Sequence, residues 1–244
     1  MKLPAFALAV SLSMASAIPD AIPLSASQGA RTEADGWRSL FDGSSTTGWR
    51  GFKKSGFPER GWTVQAGLLT HLASGGKPLP ESGDIITLER FDNFDFRFEW
   101  RVAPGANSGV KYLVTEERDG PIAHEYQIID DARHPDAQIG LHRTTAALYD
   151  AIPAPAAKPL KPAGQFNEGR IVVDGPHVEH WLNGSKVIEY ELGSAALLAA
   201  KAKSKFAAVP GWGEKLTGHL LLQDHGDEVA YRNLRVRVLP RSTR

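Results

Sequence analysis

The clearest pattern along the chain is a strict alternation of apolar and polar residues between positions 94 and 101. Alternate side chains of a β-strand point to opposite faces, so this pattern predicts a strand with one apolar face. The aromatic residues that we assign to the core are Phe94, Phe96, Phe98 and Trp100. The charged residues of the other face are Asp95, Arg97, Glu99 and Arg101, and such a face can be solvated or line a cleft.

Two further strands, residues 110–115 and 124–129, are joined by a polar turn that contains Asp119-Gly120-Pro121. Their apolar face would consist of Val110, Tyr112, Val114, Tyr126 and Ile128. Their polar face would carry Lys111, Glu125 and Gln127, an ammonium, a carboxylate and an amide. One face of this pair can be buried while the other is presented to a ligand, although an ordinary solvated strand face would show the same pattern.

The remaining pattern is also β. Gln65-Ala66-Gly67 and Asn183-Gly184 are typical hairpin turns, and residues 194–206 are the only good helix candidate. Short strands with frequent turns predict an all-β fold, a two-sheet antiparallel sandwich with one short helix. We expect Phe96, Phe98, Tyr126, Ile128, Leu220 and Leu222 between the sheets. The long irregular segment 131–166 follows the polar strand directly, so we expect it to form a wall of a binding site.

Composition narrows the function classes. The chain has 244 residues, 28 Lys plus Arg against 28 Asp plus Glu, and no cysteine. The zero formal net charge gives no indication of nucleic-acid binding or of an anionic membrane. Without cysteine, disulfides, thiolate metal sites and a cysteine nucleophile are excluded.

The N-terminus has the form of an export signal. Met1-Lys2 precedes an apolar run that is too short to span a bilayer, and Ala15-Ser16-Ala17 resembles a signal-peptidase site. We therefore expect a signal peptide over 1–17, a disordered leader over 18–35 and one domain over 36–240. The mature protein is expected to be periplasmic or secreted, without membrane insertion after signal removal, and N-terminal sequencing would check that it begins near Ile18.

Several motifs occur in an order that resembles one known family. They are Phe41-Asp42-Gly43, Gly48-Trp49, Asn107-Ser108-Gly109, Glu125-Tyr126-Gln127 with Asp130, Ala147-Leu148-Tyr149-Asp150, His180-Trp181-Leu182-Asn183-Gly184, Leu222-Gln223-Asp224-His225-Gly226 and Tyr231-Arg232-Asn233-Leu234. Together they resemble the 3-keto-disaccharide hydrolase domain over about residues 36–239. The resemblance implies a concanavalin A-like (laminin-G-like) jelly roll and cleavage of a carbohydrate substrate already oxidised to a ketone at sugar C3.

A C3 ketone acidifies the hydrogen on C2, so a base can start β-elimination of the C1 substituent, and water can then add. Either His225, whose ordinary pKa lies near neutrality, or Glu125 in a buried setting could be that base, and Lys111 could stabilise the enolate. The candidate substrate-binding residues are Asn107, Gln127, Asp130 and Gln223 for hydroxyl groups, and Tyr149 and Trp212 for stacking on the sugar ring. His225 could instead be a turn histidine next to Gly226.

Three alternatives stay open at this point. Glu125 and Asp130 resemble the paired acids of retaining β-glucanases with the same jelly roll, although a bulge would be needed to bring Asp130 to the face of Glu125. A non-catalytic carbohydrate-binding module would explain the fold and the polar face equally well. A divalent metal ion between Glu125 and a histidine could polarise the ketone, although no compact ligand spacing supports it.

Overall fold

A computed structural model describes residue 1 and residues 35–240 of the chain. The expected signal peptide and leader lie outside the described residues, apart from Met1 and Asp35. The strands are β1 (Arg38–Ser39), β2 (Trp49–Gly51), β3 (Trp62–Gln65), β4 (Leu68–His71), β5 (Ile85–Thr87), β6 (Phe94–Val102), β7 (Asn107–Val114), β8 (His124–Ile129), β9 (Asn167–Asp174), β10 (His177–Leu182), β11 (Ser185–Glu191), β12 (His219–Leu222) and β13 (Val229–Val238). The helices are α1 (Ala195–Ala202) and two 3₁₀ turns, Pro135–Gln138 and Leu141–Arg143.

These strands form two antiparallel sheets. The larger sheet has the spatial order β11-β10-β9-β6-β13-β4-β3, with β1 paired to β13, and the five-stranded sheet has the order β2-β5-β12-β7-β8. Some neighbours are consecutive hairpin strands, such as β3-β4 and β7-β8, whereas others, such as β6-β13 and β5-β12, are distant in sequence, so the chain also crosses between the sheets. This is the predicted concanavalin A-like jelly-roll sandwich. No helix among the described residues is long and apolar enough to cross a membrane.

The core lies between the two sheets, as the alternation of β6 predicts. Phe96, Phe98, Tyr126, Ile128, Leu220 and Leu222 are each at most 1% exposed. Phe98 of the larger sheet meets Tyr126 of the smaller one edge to face, with ring centroids 5.3 Å apart. Burial of such aromatic side chains is the main force that holds the sheets together.

Local signals set the hairpins and the helix. Asn183 and Gly184 both have positive φ, 47° and 82°, as the turn between β10 and β11 requires. Ser194 caps α1 by accepting the N–H of Leu197 at 3.2 Å. The helix ends at Ala202 rather than at Phe206, because the chain turns there and the Lys203 N–H bonds to Ala200 and Lys201. The expected helix of residues 194–206 was therefore too long.

Strand β7 departs from simple alternation near its end. Leu113 has a positive φ of 54°, and the pairing with β12 shifts register at this position. Val114 consequently lies on the other face of the sheet, where it packs with Ile86 and Leu221. The expectation that Val114 shares the apolar face of Val110 and Tyr112 was wrong, because a bulge reverses the side-chain direction.

Two histidines lie in the core without charge. His180 donates from Nδ1 to the Ala146 carbonyl at 3.0 Å and accepts the Tyr112 hydroxyl at Nε2 at 2.8 Å. The ring of His124 lies between those of Tyr112 and Trp212. Burial lowers the pKa of His180 to about 4 and that of His124 to about 3.

These histidines should make the fold acid-sensitive. The unfolded chain protonates them below pH ~6.5 while the folded chain does not, so stability is full above that pH and falls towards pH 4. The expected loss is about 2 kcal/mol per histidine between pH 6.5 and 5. Urea unfolding of His180→Gln should show a correspondingly flatter pH dependence, whereas His142→Gln, at a half-exposed site, should not. An unchanged slope in His180→Gln would contradict this account.

Candidate functional site

The candidate site lies on the outer face of the five-stranded sheet, the face turned away from the larger sheet. Lys111 of β7 stands directly opposite Glu125 of β8 in the antiparallel register. Both charged side chains are almost completely covered, at 8% and 5% exposure. Charges of ordinary surface strands remain in water, so a buried ammonium beside a buried carboxylate indicates a functional arrangement.

Gly109 makes room for the Glu125 carboxylate. A Cβ atom at position 109 would lie 2.4 Å from Glu125 Oε1, far inside contact distance. The carboxylate therefore lies over the backbone of β7, at a place where only glycine has no side chain in the way. This close approach explains why the Asn107-Ser108-Gly109 motif has glycine at position 109.

A third charged group, Asp84, completes the cluster. Its Oδ2 lies 4.0 Å from Lys111 Nζ, and its Oδ1 accepts the backbone N–H of Asp224 at 2.8 Å. Burial raises the pKa of Asp84, and Lys111 and the Asp224 N–H only partly oppose this effect. Asp84 was not among the residues expected from sequence, because it comes directly after a loop rich in Pro and Gly.

Asp224 is held by a buried network of its own. It accepts hydrogen bonds from Ser82 Oγ at 2.5 Å and from His71 Nε2 at 2.9 Å. Burial by itself would raise the pKa of Asp224, but the His71 and Ser82 hydrogen bonds lower it below its ordinary value. The backbone that supports Asp84 is therefore anchored by an ionised carboxylate.

Two amide side chains, those of Gln127 and Asn107, lie between Glu125 and His225. Gln127 donates to Asn107 Oδ1 at 3.2 Å, and Asn107 Nδ2 lies 3.4 Å from His225 Nε2. Turned the other way, the Gln127 amide nitrogen donates instead to Glu125 Oε1 at 3.3 Å, and the amide oxygen then faces the Asn107 side chain at 3.2 Å, so Gln127 does not donate to Asn107 and Glu125 at once. His225 Nδ1 lies 3.8 Å from Asp227. His225 is therefore separated from Glu125 by the side chains of Gln127 and Asn107.

Two adjoining cavities open on this face. The smaller, of about 300 Å³, is lined by Lys111, Pro121, Ile122, Ala123, Glu125, Lys205, Phe206 and Val209. The larger, of about 660 Å³, is lined by Gly51, Phe52, Lys54, Ser55, Gly56, Phe57, Pro58, Glu59, Glu81, Ser82, Gly83, Asp84 and Pro121. Pro121 borders both cavities, and the 4.0 Å approach of Asp84 Oδ2 to Lys111 Nζ joins them. Both volumes lie within the range of ~300–1,000 Å³ of small-molecule sites.

Part of the long segment 131–166 lies along the edge of β8, but none of its residues is among those that line the two cavities, so the expected wall of the binding site is not found there. The Tyr149 N–H donates to the Glu125 carbonyl at 3.0 Å and the Ala146 N–H to the Gln127 carbonyl at 2.8 Å, which covers the edge of β8. The Tyr149 hydroxyl donates to Asp136 at 2.8 Å, and Lys205 Nζ lies 4.1 Å from the ring centroid. Burial lowers the pKa of Lys205, an effect that Glu125 opposes.

Two expected binding residues do not fit their roles. Trp212 is 1% exposed and stacks on Phe206 at 4.7 Å, so it has no free face for a sugar ring and that expectation is corrected. Asp130 accepts the backbone N–H groups of Gly105 at 2.8 Å and Ala132 at 3.1 Å. Its carboxylate holds loops rather than a substrate. Gln223 adjoins the site through its N–H, which donates to the Gly109 carbonyl at 3.0 Å.

The structure offers one group of metal-ligand type near this face. His134, His225 and Asp227 place ligand atoms within 4.8 Å of one another, and Glu125 belongs to no such group in residues 35–240. His134 Nδ1, however, accepts the Asp136 N–H at 3.1 Å, so the neutral ring carries its proton on Nε2. Binding of an ion by His134 would cost this hydrogen bond, and the fit is therefore poor.

Comparison with known proteins agrees with the geometry. A family model described as "3-keto-alpha-glucoside-1,2-lyase-like domain" matches residues 36–237. A 3-keto-disaccharide hydrolase of Bacteroides thetaiotaomicron is 38% identical over 234 residues, which cover 85% of this chain and 80% of that protein. Two crystal structures of provisionally assigned glycosyl hydrolases from Parabacteroides distasonis are also similar. The first is 30% identical with a TM-score of 0.74, covering 85% of this chain and 95% of its own. The second is 26% identical with a TM-score of 0.62, covering 83% and 99%.

Proposed function

This chain belongs to the 3-keto-alpha-glucoside-1,2-lyase-like domain family, and from that premise we propose that it cleaves glycosidic bonds of sugars that carry a ketone at C3. The relative from Bacteroides thetaiotaomicron is named for hydrolysis of 3-keto-disaccharides. The observation that carries the proposal for this chain is the buried pair of Glu125 and Lys111 facing one cavity.

Glu125 is the base in this proposal. Its carboxylate lines the smaller cavity, whereas His225 lies behind Asn107 and Gln127. The carboxylate takes the proton from C2, and the C–H electron pair forms the enolate with the C3 oxygen. Lys111, the residue paired with Glu125 on the neighbouring strand, places a positive charge where the enolate charge develops. Such electrostatic stabilisation is usually the largest contribution to lowering a barrier.

Collapse of the enolate completes the cleavage. The C3 carbonyl re-forms, a double bond forms between C1 and C2, and the bond from C1 to the glycosidic oxygen breaks with its electron pair on that oxygen. Addition of water then places hydroxyl on C1 and hydrogen on C2. The sum of the two steps is hydrolysis of the glycosidic bond.

The geometry does not favour a conventional retaining pair. The pairing of β7 with β8 continues from Asn107–Ile129 to Tyr112–His124 without a register shift, so no bulge turns Asp130 to the face of Glu125. Both Asp130 oxygens also accept backbone N–H groups. A retaining mechanism needs two carboxyl groups free to act on the sugar from opposite sides.

The proposal is tested by the form of the substrate. A glucoside and its 3-keto derivative are incubated with the protein under the same conditions, and the released alcohol is measured. We expect cleavage of the keto form only, because the unoxidised sugar has no acidified C2 hydrogen. Cleavage of both forms would indicate a conventional glycosidase, and binding without cleavage a carbohydrate-binding module; either result would refute the proposal.

A further inference from the structure

We infer that Asp84 is the general acid that protonates the departing glycosidic oxygen, with the leaving group held in the larger cavity. This inference rests on the proposed function and adds what that function needs. Glu125 and Lys111 account for the C2 proton and the enolate charge. Neither provides a proton for the oxygen that leaves C1, and an alcohol leaves poorly as an alkoxide.

The position of Asp84 carries the inference. Lys111 lines the smaller cavity and Asp84 the larger one, and their charged atoms lie 4.0 Å apart. A substrate whose ketone contacts Lys111 in the smaller cavity would extend past Asp84 towards the larger one. The scissile bond would then lie at the junction, where a carboxyl group is already positioned.

The surroundings of Asp84 suit an acid. Oδ1 is fixed by the Asp224 N–H, and Asp224 is itself held by His71 and Ser82, so only Oδ2 faces the cluster. Burial raises the pKa of Asp84, the direction that keeps a proton available for transfer. Transfer of the C2 proton to Glu125 does not change the charge of Asp84. Both groups can therefore act in the same turnover.

The proton transfers balance over the two steps. In elimination, Glu125 gains the C2 proton, and Asp84 gives its proton to the glycosidic oxygen as the C1–O bond breaks. In hydration, the Asp84 carboxylate takes a proton from water as its oxygen bonds to C1, and Glu125 returns a proton to C2. Both carboxyl groups finish in the state in which they began.

The walls of the larger cavity indicate the kind of leaving group. Phe52, Phe57, Pro58 and Pro121 give it flat apolar surfaces among polar groups. Such surfaces pack against the faces of rings, in a second sugar or in an aromatic alcohol. A ring-bearing leaving group would therefore gain contacts in this cavity that a methyl group cannot make.

The test is the dependence on leaving group in Asp84→Asn. We compare methyl and para-nitrophenyl 3-keto-glucosides, and we follow hydrogen exchange at C2 of recovered substrate. The variant should lose about 10²-fold or more in turnover of the methyl compound, the usual effect of a lost acid. First-turnover release of nitrophenolate and C2 exchange should stay close to wild type, because nitrophenolate leaves without a proton and before the hydration step in which Asp84 acts on water. Asp174→Asn, an exposed substitution on β9, is the control.

The outcomes separate the two proposals. Equal loss on both substrates, or loss of C2 exchange, would mean that Asp84 acts only by positioning Lys111. Wild-type turnover on both substrates would mean that Asp84 has no role in the reaction. Each of these results refutes the inference about Asp84 and leaves the proposed function intact. Retained C2 exchange also shows that the variant is folded. If wild-type protein cleaves neither 3-keto compound, the proposed function fails, and the inference fails with it.

Discussion

Replacing Glu125 by Gln should lower kcat on a 3-keto-glucoside by about 10²–10⁴-fold, the usual effect of removing a catalytic base. Glutamine keeps the shape that fits over Gly109 but cannot accept the C2 proton. Exchange of the C2 hydrogen should fall with turnover, since both depend on the same proton transfer. The fold should survive, because the change is nearly isosteric and lies at a cavity wall.

Two companion variants make the result specific to Glu125. Glu117→Gln changes an exposed glutamate between β7 and β8 and should leave turnover unchanged. His225→Ala tests the other base that the sequence left open. If His225→Ala abolished C2 exchange while Glu125→Gln kept it, the assignment of the base to Glu125 would be wrong.

Replacing Lys111 by Met should lower kcat by about 10²–10³-fold, the effect of removing one group that stabilises a developing oxyanion. Exchange at C2 and cleavage should fall together for every leaving group, because both pass through the enolate. Asp84 should also become harder to ionise, since the Lys111 charge is what lowers its pKa most. Because Asp84 acts in its protonated form, the falling limb of the pH–rate profile should shift to higher pH in this variant.

Stability needs a separate measurement for this variant. Removing the ammonium leaves Glu125 and Asp84 buried without their partner on β7, which can cost about 3–5 kcal/mol. Circular dichroism and thermal unfolding therefore accompany the kinetics. Lys186→Met, at an exposed position of the edge strand β11 in the larger sheet, should change neither property. A folded Lys111→Met variant with wild-type turnover would exclude the enolate role.

Much of the fold could be predicted from local pattern. The alternation in β6 and the Asn183-Gly184 turn depend on side-chain period and on positive φ, which neighbouring residues alone specify. Val114 was placed on the wrong face because the bulge at Leu113 arises from packing between β7 and β12. Gly218 shows this dependence on tertiary contact, since a Cβ there would lie 2.4 Å from the Leu113 backbone.

The site could be predicted only where side chains alternate regularly between the two faces of a strand. This alternation places Lys111, Glu125 and Gln127 on one face, and the register of β7 with β8 puts Lys111 opposite Glu125. Asp84 lies in an irregular segment, and its approach to Lys111 depends on contacts between loops distant in sequence. Trp212 was misplaced for a related reason: its flanking glycines indicate an exposed loop, while Phe206 and His124 cover the ring.

The position of the C2 hydrogen during catalysis tests the central claim most directly. A 3-keto-glucoside deuterated at C2 is cleaved in ordinary water, and the label is followed by mass spectrometry in product and recovered substrate. Removal of this hydrogen by Glu125 predicts loss of deuterium to water, with a primary isotope effect if that step limits the rate. Cleavage with full retention of deuterium at C2 would contradict elimination and require direct displacement at C1.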